Sequence, residues 1–294
     1  MSGNQNQIAV RDADVISRVA TWAPDYLAPF YSGGGKQFEA WKQDAALAII
    51  ENPDLRTALA SEAGRLSLVR ALQRSASSGL SLNPQKGESA LVPIGGKINF
   101  WPMKNGLLKK ALETGALEFI EANTIFSGDK FLIKKTAKGD DYDFIPALVD
   151  RGFSSAYFAV AVLKSGRSVV EYWTKDQVDD HKKKYGKGNS NPTSAWNNNF
   201  DGMAEKTVLK ALLMGLHLPK AVTELLEMDN DAEQAETRNV TEAPEDKGTS
   251  STELAATLAA QEPQADKGEG KITLGKTASM NIAKETAPPV DALF

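Results

Sequence analysis

Residues 79–131 read GLSLNPQKGESALVPIGGKINFWPMKNGLLKKALETGALEFIEANTIFSGDKF. Two short apolar segments in this stretch, Ser89–Pro93 and Lys97–Trp101, flank Ile94-Gly95-Gly96. Glycine pairs between such segments are typical of the tight turns that join antiparallel strands. The stretch therefore predicts a β-hairpin, and the elements on either side of it decide the fold class.

The hairpin follows helices and precedes a mixture of strands and helices. Apolar residues at helical spacing predict helices over Lys36–Glu51 and Leu66–Ser78, which end at Asn52-Pro53 and Gly79. After the hairpin, the predicted elements are a helix over Lys104–Thr114, strands over Leu117–Phe126, Phe131–Lys135, Ala156–Lys164 and Ser168–Trp173, a helix capped by Thr174 with Gln177, and a long helix from Asn197 to Met214. The expected fold class is α+β: N-terminal helices, a small antiparallel sheet with a β-hairpin, and a long C-terminal core helix.

The composition excludes several classes of site. The 294 residues include no cysteine and only two histidines, His181 and His217. Disulfides, cysteine nucleophiles and the usual structural zinc sites are therefore excluded, and a multi-histidine metal centre is not expected. No apolar segment approaches the roughly 20 residues that a membrane-spanning helix needs. We expect a soluble, cytoplasmic protein that contacts no membrane.

The uneven distribution of charge predicts three regions. Residues 229–294 contain 13 acidic and 6 basic side chains, whereas residues 1–228 contain 25 acidic and 28 basic ones. The C-terminal segment also has a single aromatic residue, Phe294, and so has little apolar surface to offset the entropy of ordering. We predict an N-terminal arm over residues 1–35, a core over residues 36–228 and a disordered acidic tail for partner contacts over residues 229–294.

The predicted N-terminal arm contains a group of aromatic residues. They are Trp22, Tyr26, Phe30 and Tyr31. Aromatic side chains at this density usually pack against another surface. We expect them either to pack on the core or to contact another protomer.

The hairpin and the helix after it combine lysines with aromatic residues. Phe100 and Trp101 lie among Lys86, Lys97, Lys104, Lys109 and Lys110. Ammonium groups suit phosphates, and stacking on an aromatic ring is worth about 1–3 kcal/mol per base. Because adjacent strand residues point to opposite faces, Phe100 and Trp101 are not both expected in the core. The pattern fits a nucleic-acid surface, or a solvated lysine face beside a core aromatic residue.

The helix within Ser194–Leu216 has two separate charged flanks. Lys206 and Lys210 are four residues apart on one flank, and Asp201 and Glu205 are four apart on the other. One interpretation is that the lysines line a groove while the acids contact a protomer or a metal. The other is an ordinary solvated amphipathic helix.

Residues 270–277, GKITLGKT, match the phosphate-loop pattern G-x-x-x-x-G-K-T. That loop binds phosphate only when a buried strand precedes it and a helix follows it. Here QADKGE precedes the motif and only 17 residues follow it, so we expect no nucleotide site around Lys276. No HExxH or GxSxG motif occurs, and the acidic pairs Asp140-Asp141 and Asp179-Asp180 are expected on solvated surfaces.

Several separate motifs, taken in order, resemble those of the RecT family of phage single-strand annealing proteins. They are GLSLNP, ALVPIGGKINFWPMKNGLLKKALETGAL, IFSGDKF, SAYFAVAVLKSGR, SAWNNNFDGMAEKTVLKALL and HLPKAV, and they span residues 66–222. Two differences are local. Lys104-Asn105-Gly106 stands where many members have Tyr-Lys-Gly, and Ser194-Ala195-Trp196 stands where many have Ser-Pro-Trp.

The resemblance implies an ATP-independent recombinase without covalent catalysis. Such proteins bind single-stranded DNA left by a partner 5′–3′ exonuclease and pair it with a complementary strand to give annealed duplex. They assemble as homo-oligomeric rings or helical filaments, and the C-terminal segment contacts the exonuclease or the host single-strand-binding protein. No cofactor is implied, and the sequence does not indicate magnesium.

Eight residues are predicted to contact DNA. The resemblance implies six of them and the hairpin interpretation adds Lys97 and Trp101; the six are Lys104, Lys109, Lys110, Trp196, Lys206 and Lys210. Two other function classes stay open at this point. One is a DNA-processing ATPase or nuclease, and the other is a plain single-strand-binding protein without annealing activity.

Overall fold

The computed structural model describes residues 27–31, 35–185 and 194–241, apart from the side chains of residues 35, 36 and 236–241. A short 3-10 turn spans Ala28–Phe30. The helices are α1 (Gly35–Glu51), α2 (Pro53–Ala58), α3 (Glu62–Ser78), α4 (Lys104–Glu113), α5 (Lys175–Tyr185), α6 (Ala195–Asn198), α7 (Phe200–Gly215) and α8 (Lys220–Thr241). The strands are β1 (Ser89–Ile94), β2 (Lys97–Pro102), β3 (Leu117–Phe126), β4 (Lys130–Thr136), β5 (Gly139–Ile145), β6 (Ser154–Leu163) and β7 (Ser168–Thr174).

All strand pairs in these ranges are antiparallel, which confirms the predicted α+β class. The strands form a β1–β2 hairpin, a β3–β6–β7 sheet and a β4–β5 hairpin. The predicted glycine turn joins β1 to β2, and Gly95 and Gly96 adopt φ values of +57° and +73° that other residues rarely adopt. No helix in the described ranges combines the length and apolar character that a membrane crossing requires.

Helix α7 lies at the centre of the core. Most side chains between Met203 and Leu213 are buried, and the helix packs on β3, β6 and β7 as well as on α4 and α8. The other face of the sheet is covered by the β4–β5 hairpin, where Phe131 and Phe144 pack on Phe158 of β6 at ring-centroid distances of 4.7 and 5.0 Å. The result is three layers: helices, the three-stranded sheet, and a two-stranded hairpin.

The expectation that one of Phe100 and Trp101 would be left outside the core is wrong. Phe100 and Trp101 are only 1% and 6% exposed, because β2 packs against both α3 and α8. Two adjacent strand residues point in opposite directions, so burial of both requires cover on both faces of the strand. The sequence period identified the strand but could not show that helices from both ends of the chain would enclose it.

Strand β5 was missed by the sequence analysis, which placed Asp140-Asp141 on a solvated surface. Asp140 is instead buried: it accepts hydrogen bonds from Lys135 Nζ at 2.8 Å and from the backbone N–H of Val170 at 2.9 Å. Three aspartates within seven residues hide the strand signal, although Tyr142 and Phe144 alternate toward the sheet. Asp179 and Asp180 lie on α5, and Asp180 is exposed as expected.

The predicted boundary between core and tail at residues 228 and 229 is also wrong. Helix α8 continues through it, and Asp229 is fully buried while Ala232 is 2% exposed. The core therefore extends to at least Ala232. At the other end, Tyr31 packs on Phe38 and Trp41 at 5.2 and 5.9 Å between ring centroids. Trp22, Tyr26, the GKITLGKT motif and the rest of the predicted arm and tail lie outside the described residues.

Candidate nucleic-acid interface

A cleft of about 960 Å³ opens between the β1–β2 hairpin, the end of β3 and the first turns of α7. Its apolar wall includes Val92, Pro93 and Ile94 of β1. Its polar wall includes Asn123 and Thr124 of β3 together with side chains of α7. Of the eight predicted DNA contacts, three line this cleft: Trp101, Lys104 and Lys206.

Lys104 is placed on the cleft wall by the start of α4. Gly106 allows this helix to approach β1, because a β-carbon there would overlap the carbonyl oxygen of Glu88. Lys104 Nζ donates to Glu205 Oε2 at 2.5 Å, and Thr124 Oγ1 donates to Glu205 Oε1 at 2.7 Å. The Lys104 side chain is 32% exposed, so its ammonium group is held by α7 but open to the cleft.

The N-terminal end of α7 is fixed by its cap and by the sheet. The predicted long helix divides at Asn199, whose side chain accepts a hydrogen bond from the backbone N–H of Gly202 at 3.2 Å. Tyr157 of β6 donates its hydroxyl to Asp201 Oδ1 at 2.6 Å. Burial and this carboxylate raise the pKa of Tyr157 well above its ordinary value, so the phenol keeps its proton and the bond persists at neutral pH.

Lys206 and Lys210 do not face open solvent as the groove interpretation required. Both ammonium groups form ion pairs with Asp229 of α8, and Lys210 Nζ also lies 2.8 Å from Glu233 Oε2. The three side chains Lys206, Lys210 and Asp229 are 10% exposed or less. Burial alone would raise the pKa of Asp229, but the two lysines outweigh it and hold that pKa below its ordinary value. The sequence placed these lysines on one flank correctly and missed the helix that covers them.

Trp101 is likewise enclosed. Lys206 Nζ lies 5.0 Å from the centroid of its ring, a cation–π distance. Its indole Nε1–H is buried and, among the described residues, has no hydrogen-bond acceptor. Since the ring is covered, Trp101 offers no face for base stacking, although the residue contributes to the cleft lining.

Trp196 is buried in a second aromatic cluster rather than exposed to a ligand. It packs on Phe200 at 5.8 Å and on His181 at 6.3 Å between ring centroids. Burial, followed by nearby Lys210 and Lys184, lowers the pKa of His181 and favours its neutral form. Lys182 Nζ donates to the Trp196 carbonyl oxygen at 3.3 Å, and Lys175 Nζ lies 4.5 Å from the Phe200 ring centroid. The neighbours of Trp196, Ser194 and Ala195, line the cleft.

The remaining three predicted lysines lie around the hairpin and α4. Lys97 is exposed beside the glycine turn, opposite the cleft residue Ile94, and pairs with no acid among the described residues. Lys109 Nζ donates to Glu88 Oε2 at 2.8 Å, and Lys110 Nζ to Glu113 Oε2 at 3.2 Å. Ion pairs with such exposed lysines are worth about 0–1 kcal/mol and exchange readily.

Within the cleft lining, acidic and basic side chains balance. The acids are Asp54, Asp201 and Glu205, and the bases are Lys104, Arg151 and Lys206. Arg151 was missed because it lies in a loop without pattern. The described residues contain no group of three His, Cys, Asp or Glu side chains arranged to hold a metal ion.

Comparison with known proteins decides the family. The sequence model of the RecT family matches residues 40–245, more than half of the chain. The chain belongs to the RecT family. The match includes the β1–β2 hairpin, the cleft and α8 up to Thr241, so the elements that build the candidate interface are those that define the RecT family in this chain.

A curated relative of this RecT-family chain is an uncharacterized protein, YqaK, of Bacillus subtilis (strain 168). The two sequences are 31% identical over 183 residues, which is 58% of this chain and 62% of YqaK. The chain therefore matches less than two thirds of that relative.

Proposed function

We propose that this RecT-family protein binds single-stranded DNA and accelerates its annealing to a complementary strand without hydrolysing a nucleotide. The observation that carries the proposal is the cleft of about 960 Å³ between the lysine-bearing hairpin and α7, inside the region matched by the family. A cleft with one apolar wall and one polar, charged wall suits a chain that has both bases and phosphates.

The lysines at the cleft differ in how freely they can meet a phosphate. Lys97 at the rim has no acidic partner among the described residues, and Lys104 is paired but partly exposed. A phosphate can replace the Glu205 carboxylate at Lys104, because both are oxygen anions of similar demand. Lys206 is fully engaged with Asp229 and contributes through its position beneath Trp101.

Binding through backbone phosphates leaves the bases free to pair. Phosphate contacts carry no sequence information, so the bound strand can meet any complement. Pairing itself supplies the free energy, at about 1.4 kcal/mol for each stacked step of duplex. The protein lowers the repulsion between the two strands, and no bond is made or broken. Because Trp101 is covered, bases are expected to contact the apolar wall at Val92 and Ile94 rather than this ring.

The family membership also supports assembly of several copies along DNA, as a ring or a helical filament. Single-strand annealing requires many nucleotides to be held in line, and one cleft spans only a few of them. A partner 5′–3′ exonuclease and a single-strand-binding protein of the host are the expected partners, and the cytoplasm is the expected location.

Annealing of two labelled complementary oligonucleotides, followed by fluorescence with and without ATP, tests the proposal. The informative variant is Lys97→Ala with Lys104→Ala, which removes the two accessible cleft lysines. Its control is Lys138→Ala with Lys164→Ala, which removes the same charge from turns at the far end of the sheet. Lys164 follows Leu163, which pairs with Leu117, whereas the cleft lies at the Asn123–Phe126 end of β3.

The wild type and the control variant are expected to accelerate annealing equally, with no dependence on ATP, and the cleft variant is expected to lose most of the acceleration. Binding without faster annealing would show a plain single-strand-binding protein. Dependence on ATP that is lost in Lys276→Ala would show an ATPase. Equal activity of the cleft and control variants would overturn the assignment of the cleft.

A further inference from the structure

The outer face of the β4–β5 hairpin is a second surface with an ordered pattern. Along β4 the outward residues are Lys130, Leu132 and Lys134, and opposite them on β5 are Ile145, Asp143 and Asp141. All six side chains are exposed, while the alternate residues face the sheet. None of the four charged side chains forms an ion pair within the described part of the chain. Lysines thus occupy one strand and aspartates the other.

Apolar exposure is concentrated at one end of this face. Leu132 and Ile145 are 68% and 60% exposed, and the loop after β5 adds Leu148 at 98% and Val149 at 76%. Contiguous exposed apolar side chains on a folded protein mark interaction surfaces. The opposite end of the face, at Lys134 and Asp141, is charged.

The loop that carries Leu148 and Val149 is held in place rather than loose. Asp129 has no solvent exposure, and its carboxylate accepts hydrogen bonds from Arg151 at 2.6 and 3.0 Å and from the backbone N–H of Ala147 at 2.9 Å. The Arg151 hydrogen bonds hold the pKa of Asp129 well below its ordinary value, so the clamp is intact at neutral pH. Asp150 within the loop adopts φ +51°, which costs a non-glycine residue energy. A clamped loop with outward leucine and valine is organised for contact before any partner arrives.

The charge pattern identifies the partner, and we propose that this face binds the same face of a second copy of the chain. A two-fold axis parallel to the strands lays β4 of each copy over β5 of the other. Lys134 then lies over Asp141 of the second copy, and Lys130 lies diagonally over its Asp143. The same axis brings the two apolar ends together. A two-fold axis across the strands would instead set Lys130 over Lys134 and Asp143 over Asp143, so the pattern selects the first arrangement.

This contact goes beyond the proposed function, since it does not involve the cleft or DNA. It is isologous, so it closes after two copies. It would join two DNA-bound protomers, or two assemblies, back to back. The face is small compared with the roughly 1,200–2,000 Å² of a stable interface, so the association is expected to be weak and to depend on concentration.

Sedimentation velocity without DNA, over a series of protein concentrations, tests the contact. Lys134→Asp puts aspartate over Asp141, and Asp141→Lys puts lysine over Lys134, so each variant alone should raise the dissociation constant about tenfold through two lost pairs and two repulsions. An equimolar mixture of the two variants restores opposite charges at both positions. It should therefore associate as tightly as the wild type. The control Lys138→Asp makes the same charge change as Lys134→Asp in the hairpin turn and should have no effect.

The mixture excludes trivial explanations. A folding defect in either variant would persist on mixing. General attraction does not apply, because the wild-type net charge is −4 and each substitution changes it by two, which leaves both variants negative. Since the chain has no cysteine, Lys134→Cys and Asp141→Cys chains can also be joined by a bismaleimide about 10 Å long, the spacing of stacked sheets. Cross-links should form between the two different chains. Unchanged association of either charge variant, or a mixture no tighter than its components, would overturn the proposal.

Discussion

The molecule uses the same pair of residue types, lysine and acid, in two regions with opposite consequences. At the α7–α8 contact, Lys206 and Lys210 surround Asp229 out of reach of solvent. At the cleft, Lys104 pairs with Glu205 while its side chain stays 32% exposed. The first network cannot exchange a partner without unfolding its surroundings, whereas the second can. Burial, rather than residue type or spacing, separates lysines that hold the fold from lysines that can hold a phosphate.

The largest effect is expected at the buried network. Asp229→Ala leaves two buried ammonium groups without their shared acid, and removal of one partner from a buried ion pair costs about 3–5 kcal/mol. Urea unfolding followed by circular dichroism measures the loss of stability. Asp231→Ala is the matched control on the same helix, because Asp231 pairs with Arg74 at an exposed site and is expected to cost about 0–1 kcal/mol. Equal losses in the two variants would show that burial does not distinguish the two positions.

The cleft pair should respond in DNA binding rather than in stability. Glu205→Gln removes the acid that competes with phosphate for Lys104, so single-stranded DNA should bind more tightly. Each additional phosphate contact on a single strand steepens the slope of log affinity against log salt by about 0.7. Fluorescence anisotropy over a salt series measures both quantities. Weaker binding by Glu205→Gln would mean that this carboxylate positions Lys104 for DNA instead of competing with it.

These two predictions also show how far the sequence could reach. The GG turn, the α4 stop at Gly115 and the Thr174–Gln177 capping box are local signals, and the structure confirms each of them. The separation of the α7 lysines from Asp201 and Glu205 was also predictable, since a helix fixes it. The cover over Lys206, Lys210 and Trp101 was not, because α8 follows in a segment whose acidic composition resembles a tail.

A smaller effect is expected at the aromatic cluster around His181. Its pKa is lowered in the folded state, so acidification protonates the unfolded chain first, near the ordinary pKa of about 6.5. Stability contributed by the neutral imidazole is present above that pH and is lost as the pH falls below it. Urea unfolding at pH 7.5, 6.5 and 5.5 should show this decline, and His181→Phe should reduce it. An identical pH dependence in the two proteins would contradict the role of His181.

The smallest effect is expected at Lys110, whose partner Glu113 lies on the same exposed helix face. Lys110→Ala should change the free energy of unfolding by less than about 0.5 kcal/mol, as a surface i,i+3 pair contributes little. Its effect on DNA binding separates a rim contact from a solvated lysine. A change in the salt slope would include Lys110 in the interface, and an unchanged slope would exclude it.

The salt dependence of single-stranded DNA binding by Lys104→Gln tests the central claim most directly. The account predicts that this variant folds as the wild type does, binds DNA more weakly, and shows a slope of log affinity against log salt that is shallower by about 0.7, one phosphate contact. Lys138→Gln, at the far hairpin turn, should keep the wild-type affinity and slope. If Lys104→Gln binds DNA with wild-type affinity and slope, the strand does not lie in the cleft and the account is contradicted.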